Sequence, residues 1–307
     1  MDLMPTEILS SILLSLKGSD RLRASFTCRR WLALMSSSLP RSIQLCVYLD
    51  PTSCHAHLSH SLDMETTITI CICEEHVRTH AVLLSYLFSC IANDIRSLVI
   101  DDDLIVREKV PEKLTDGVFH CVLLEAPTKI EHLIIRGVDL SSVRAWTFGL
   151  LAKFDGLKEF SLIDCNLPSS ESLLLRVMAH SYETLVSVSV TNSDQITDKF
   201  GSVIARRCPL IDKVDLSRCK NVTALTMVAF CETASYRTTE MVFIGLCGTS
   251  FDYKKLQSYL ESPLMIGGSS WKVSSMKLQI GYERNTVCLE NKLQRNLLIL
   301  AFPIYDL

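Results

Sequence analysis

Long hydrophobic runs are missing from this sequence. The longest apolar stretch, Ala81 to Ala92, is broken by Ser85 and Tyr86 and falls short of the ~20 residues that span a bilayer. No Lys/Arg cluster precedes a hydrophobic segment with a small-residue cleavage site, so no secretory leader is expected. Neither sign of charge dominates. Lys and Arg number 31 against 34 Asp and Glu, a net charge of −3 with pI near 6.2, so nothing favours nucleic acid or another polyanion. Glycine is sparse at 11 residues, no Gly-x-Gly-x-x-Gly or Walker-type loop occurs, and Gly267-Gly268 signals only a turn. Cys-x-x-Cys spacing is absent too.

What the chain does have is cysteine, 13 residues in an odd and scattered set. Without a leader, reduced thiols in the cytoplasm or nucleus are the expectation, most of them serving as small hydrophobes. The nearest imitation of a metal site is Cys54, His55, His57 and His60 followed by Cys71, Cys73, His76 and His80. Zinc wants paired ligands two to five residues apart in a tetrahedron. Cys71-Ile72-Cys73 instead continues Thr-Ile-Thr-Ile, which reads as a strand with small side chains on one face. Asp101-Asp102-Asp103 follows a strand end and reads as a solvated acidic turn. Neither a metal, a cofactor nor a catalytic set is expected.

A hydrophobic fraction of 48% with 21% charged residues describes a folded chain, and 307 residues allow one extended domain or two compact ones. The segment from Met4 to Met35 carries Ile8, Leu9, Ile12, Leu13 and Leu16 at helical spacing. Pro5 suits a helix start and Glu7 the positive end of its dipole. Gly18 ends that helix, Ser19 or Asp20 caps a second, and Phe26 to Met35 forms a third with Cys28, Trp31, Leu32 and Met35. So small a unit has little core of its own, and something must cover its apolar surface.

These residues resemble an F-box. The likeness lies in Leu3-Met4-Pro5-Thr6-Glu7-Ile8-Leu9, then Ile12, then Asp20-Arg21-Leu22-Arg23-Ala24-Ser25, then Cys28-Arg29-Arg30-Trp31. The departures are Met4 before the proline, Arg21 for a leucine, and Phe26-Thr27 for the valine before the cysteine. The resemblance implies docking to a Skp-type linker protein, and through it to a cullin, by a face drawn from Leu3, Pro5, Ile8, Leu9, Ile12, Leu16, Leu22, Cys28 and Trp31. Some of these must instead hold the helices together.

From Arg41 onward short β-rich runs begin, and a period emerges. The template Leu-x-x-Leu-x-Leu-x-x-Asn/Cys fits Ile130-Leu133-Ile135-Val138, Leu157-Phe160-Leu162-Cys165, Leu185-Val188-Val190-Ser193 and Ile211-Val214-Leu216-Cys219. A weaker copy is Thr239-Val242-Ile244-Cys247, and the starts lie 27, 28, 26 and 28 residues apart. Ile95-Leu98-Ile100 fits upstream, and Val273-Met276-Leu278 downstream. Between the strands the clearest helix is Ile196 to Pro209, capped at Thr197 or Asp198. The run Leu297 to Ala301 is a last strand or a cap over the open end. The string from Ile196 to Thr223 is similar to the cysteine-containing leucine-rich repeats found behind F-boxes.

The expected fold class is therefore α/β. A three-helix F-box (residues 1–40) precedes a leucine-rich-repeat solenoid (41–307) with irregular first and last repeats. Parallel strands line its concave face and helices its convex face. The x positions face outward, and His132, Arg136, Lys158, Glu159, Lys213 and Asp215 are the candidates for holding a target protein. The expected function is a non-catalytic substrate adaptor of a cullin-type ubiquitin ligase, binding neither nucleic acid nor membrane. The alternative is a repeat scaffold outside any ligase, its N-terminal helices serving only as a cap.

Overall fold

The computed structural model describes residues 4–16, 20, 24, 27–35, 42–46, 67–71, 85, 88, 95–101, 112–168, 171–233, 243–260, 271–278, 285–291 and 297–302. Two helices open the chain, Thr6–Ser15 and Arg29–Met35, with Asp20 and Ala24 helical between them. In chain order the strands are β1 (Ser42–Cys46), β2 (Thr67–Cys71), β3 (Ser97–Asp101), β4 (Glu112–Lys113), β5 (His132–Arg136), β6 (Val138–Asp139), β7 (Glu159–Ile163), β8 (Ser187–Val190), β9 (Lys213–Asp215), β10 (Phe243–Gly245), β11 (Trp271–Leu278), β12 (Asn285–Asn291) and β13 (Leu297–Phe302). β4 and β6 pair on their own, and the other eleven form one sheet in the order β2-β1-β3-β5-β7-β8-β9-β10-β13-β12-β11.

Neighbours from β2 to β13 are parallel, whereas β12 runs antiparallel to both β13 and β11. Parallel pairing needs a crossover of a dozen or more residues, and the period leaves room for it. The crossovers carry helices Asp116–Glu125, Ala145–Gly149, Glu171–Met178, Asp198–Arg207 and Ala224–Thr233. Along β5 burial alternates, with Leu133 and Ile135 inside and His132, Ile134 and Arg136 half-buried. The inward residues of the first four template copies, Ile130 through Cys219, are all buried, and all but Ser193 join one apolar core with the helices.

Two expectations need correction. In the fifth copy Ile244 pairs with Val214 and Gly245 with Asp215, so Ile244 and Leu246 take the places of Val214 and Leu216. The phase is two residues later than read. A slip of two keeps each side chain on its face, so alternation alone cannot detect it. Thr239 and Val242 themselves lie outside the described residues.

The second correction is Val273-Met276-Leu278, which is no stacked repeat. It sits in β11 at the sheet edge, separated from β10 by β12 and β13. A bulge between Val273 and Ser275 shifts the alternation there, which produces three-residue spacing without a repeat. Leu297 to Ala301 lies in the last strand, β13, and it is this strand that pairs with β10. At the other end of the sheet β1 lies between β2 and β3, so the first strands do not follow chain order.

Adjacent crossovers are stitched by carboxylates. Asp198 accepts hydrogen bonds from Thr223 N and Oγ1 at 2.8 and 2.7 Å, and from Thr226 N and Oγ1 at 3.1 and 2.7 Å. It thereby caps the next helix, Ala224–Thr233. Glu171 holds the cap of Asp198–Arg207, accepting from Thr197 N and Oγ1 at 3.0 and 2.9 Å while Thr197 Oγ1 itself accepts from Lys199 N at 3.2 Å. Asp116 accepts from Arg144 N at 2.9 Å ahead of Ala145–Gly149. Gly201 permits the close approach, because a Cβ there would meet the Thr226 side chain at 2.5 Å. Asp198→Ala strips the cap and leaves four donors without this acceptor. It should destabilise the chain by about 2 kcal/mol in urea denaturation, while exposed Lys199→Ala stays within about 0.5 kcal/mol.

Candidate docking surfaces

The first surface is built on helix Thr6–Ser15. Successive residues turn by about 100°, so Leu9, Leu13 and Leu16 fall on one side and Ile8 and Ile12 beside it. Leu9 and Leu13 are buried, and Met4, Leu16, Ala24, Trp31 and Leu34 pack against them. Among the described residues this cluster is separate from the core of the sheet. Pro5, Ile8 and Ile12 stay exposed on the neighbouring strip, Ile8 at 52% and Ile12 at 45%. Cys28 is exposed as well. Leu3 and Leu22 lie outside the described residues.

The structure thus divides the sequence candidates by role. Leu9, Leu16 and Trp31 help to hold the helices together, while Pro5, Ile8, Ile12 and Cys28 face solvent. Leu14 is exposed at 51%, yet it lies about 160° round the helix from Ile12 and so off the strip.

Residues 1–46 match the F-box-like family. The chain carries an F-box-like domain. The match runs from the first helix through β1 and contains the buried cluster and the exposed strip together. No curated protein matches the chain.

Beyond the F-box-like domain, the second surface is the sheet face opposite the helices. Register places Ser97, His132, Glu159, Ser187, Lys213 and Phe243 in one row across six strands. A second row runs Val99, Ile134, Ser161, Ser189, Asp215 and Gly245. His132 Nδ1 lies 3.2 Å from Glu159 Oε2, and Ser161 donates to Glu159 Oε1 at 3.2 Å. Glu131 sits between two cations, Arg96 at 3.3 Å and Lys158 at 2.7 Å. Asp215 accepts from Ser217 N and Oγ at 3.0 and 2.6 Å, and its carboxylate leans over Gly245, where any Cβ would collide with it. Of the six residues proposed for target binding, His132, Lys158, Glu159 and Lys213 gather at the starts of β5, β7 and β9 and Asp215 stands in the second row, with β8 between β7 and β9; Arg136 stands at the far end of β5, opposite Ile163.

Glu131 and Arg96 occupy outward x positions of the template but are not among the six residues selected for target binding. Each precedes its strand by one position, where period-two alternation does not specify direction. The signal that marks them is opposite charge at equal x positions of the template. The Lys158 ammonium bonded to Glu131 holds its carboxyl below the ordinary glutamate range, with Arg96 and His132 adding to the pull against partial desolvation.

Two thiols are held inside the fold. Cys165 and Cys219 are buried and donate to the carbonyls of Ile135 and Val190 in the preceding strands, at 3.4 and 3.2 Å. Burial pushes the Cys165 thiol up to about 12 and that of Cys219 to about 11, so neither is a thiolate nucleophile at neutral pH. Among the described residues no group of three or more His, Cys, Asp and Glu is placed to hold a metal ion. Cys54, His55, His57, His60, Cys73, His76 and His80 lie outside them, as do Asp102 and Asp103. Among the described residues no helix is long and apolar enough to cross a membrane.

The depressed Glu131 pKa makes a pH prediction. Its stabilisation is complete above the unfolded glutamate value of about 4.3 and is lost as pH falls through the lower folded value. Glu131→Gln should lower Tm at pH 7 and lose that difference on acidification below about pH 4. Thermal melts of both proteins from pH 7 to 3 check it; a gap that widens toward acid contradicts the assignment.

Proposed function

We propose that this protein is a substrate-recognition adaptor of a cullin-type ubiquitin ligase. The strip Pro5, Ile8 and Ile12 docks a Skp-type linker, and the sheet, read as a leucine-rich-repeat surface, holds a target protein. The observation that carries the reading is an F-box-like domain whose helices complete a small core and still leave two isoleucines exposed beside it. Apolar surface rimmed by polar residues marks an interaction site. The adaptor makes no bonds itself. It works by proximity, raising the effective concentration of target lysines near a conjugating enzyme. Such an adaptor would work in the cytoplasm, the nucleus or both, where thiols remain reduced.

The alternative, a repeat scaffold with a helical cap, predicts that the N-terminal apolar residues turn toward the first strands. Exposure of Ile8 and Ile12, together with separation of the two clusters among the described residues, favours docking over capping. Ile8→Asp with Ile12→Asp should abolish co-purification of linker and cullin, since anchors of this kind typically contribute ~2 kcal/mol or more. Leu14→Asp, on the other side of the helix, should leave it intact. Undiminished linker recovery with the double variant would reject this strip.

The target face is tested on the same chain. Arg136→Glu with Lys213→Glu should reduce capture of targets by proximity labelling several-fold, roughly the effect of two lost interface charges. Linker recovery should not change. Simultaneous loss of linker would contradict two separate surfaces, and unchanged targets would move their site off this face.

A further inference from the structure

We propose that Arg30 is a positioning residue for linker docking: its guanidinium staples the segment ahead of the first helix so that Pro5 stands fixed beside Ile8 and Ile12. The inference rests on the docking reading above. Arg30 Nη2 donates to the carbonyl oxygen of Met4 at 2.6 Å, across 26 positions of sequence. The contact is partly buried, so water competes weakly with a charge-assisted bond. It ties helix Arg29–Met35 to the residue immediately before Pro5.

A staple matters at this place. Pro5 occupies the cap position of Thr6–Ser15 and supplies no side-chain hydrogen bond to the first turn. Helix starts without such a cap leave amide groups unsatisfied and fray. Met4 compensates twice, with its side chain packed toward Leu9 and Leu13 and its carbonyl held by Arg30. Pro5 is thereby fixed between an anchored residue and the first helical turn, where its carbonyl accepts from Leu9 N at 3.1 Å. A docking group held in place before the encounter loses less freedom on binding. Arginine suits the task because its planar fork directs the bond, whereas lysine offers an undirected ammonium.

The test is calorimetric titration of full-length protein with a Skp-type linker. The variants are Arg30→Ala, Pro5→Ala, Ile12→Ala and the doubles Arg30→Ala/Pro5→Ala and Arg30→Ala/Ile12→Ala. Arg30→Ala should weaken binding about tenfold, the scale of a lost hydrogen bond to a charged group. In the Pro5→Ala background the further loss should shrink to about twofold or less, while in the Ile12→Ala background the full loss persists. Arg30→Lys should recover part of the affinity, and amide exchange at Leu9 should quicken in Arg30→Ala. Should Arg30→Ala fail to fold, Arg30→Lys carries the same cycle. Equal losses in both backgrounds would show a general structural role and overturn the inference. Wild-type binding left unchanged by Arg30 substitution overturns it alone. A wild-type chain that binds no linker overturns the docking reading and this inference with it.

Discussion

Lateral backbone pairing between β5, β7, β8 and β9 governs most of what is described above. One register, Leu133 to Phe160 to Val188 to Val214, sets which side chains enter the core and which face out. Pairing begins one residue ahead of each strand. Glu131, Lys158, Val186 and Asp212 each donate to the residue at the equivalent place in the preceding copy. From that alignment the apolar row is buried and the rows of the open face follow without further choice. A slip of one residue would exchange the two faces, so burial of one holds the other in place.

The turns that follow the strands obey the same constraint. Gly137, Asp164, Asn192, Arg218 and Gly248 all adopt left-handed backbone at equivalent positions. Aspartate and asparagine accept this conformation readily, whereas Arg218 does so at a cost. Neighbouring pairing holds the turns: Gly137 N donates to Ile163 O, Asn192 N to Ser217 O and Arg218 N to Cys247 O. On the helical side carboxylates from Asp116, Glu171 and Asp198 hold the start of the next helix and link three of the four neighbouring pairs of crossovers. Polar contacts between copies thus repeat at the spacing of the apolar ones, which makes the arrangement cooperative along the chain.

The F-box-like domain follows a different logic. Its few residues bury Leu9 and Leu13 between helices and leave Ile8 and Ile12 outside. A unit of this size cannot cover both sets. The sheet face, by contrast, is dominated by paired charges and small hydroxyls, with Glu131 shared by two cations. An apolar strip suits a constant partner held by shape, and a mixed polar face suits discrimination among targets. We read the division of labour proposed for the protein in these two chemistries.

Much of this was legible in the residues themselves. The spacing of Leu157, Phe160, Leu162 and Cys165, repeated three more times, determined parallel strands with a common inward row. The Pro-Thr-Glu-Ile-Leu start and the Cys-Arg-Arg-Trp pattern determined the N-terminal domain. Local periodicity suffices there because burial on one face imposes it directly. Tertiary structure alone decided the rest. Ile8 and Leu9 are adjacent and equally apolar, and only the position of Trp31 and Leu34 buries one and leaves the other exposed. The phase at Ile244, the insertion of β1 between β2 and β3, and the pairing of β13 with β10 depend on contacts between distant segments. So does the reach of Arg30 to the Met4 carbonyl. Such contacts leave no period in the chain, because each is made once.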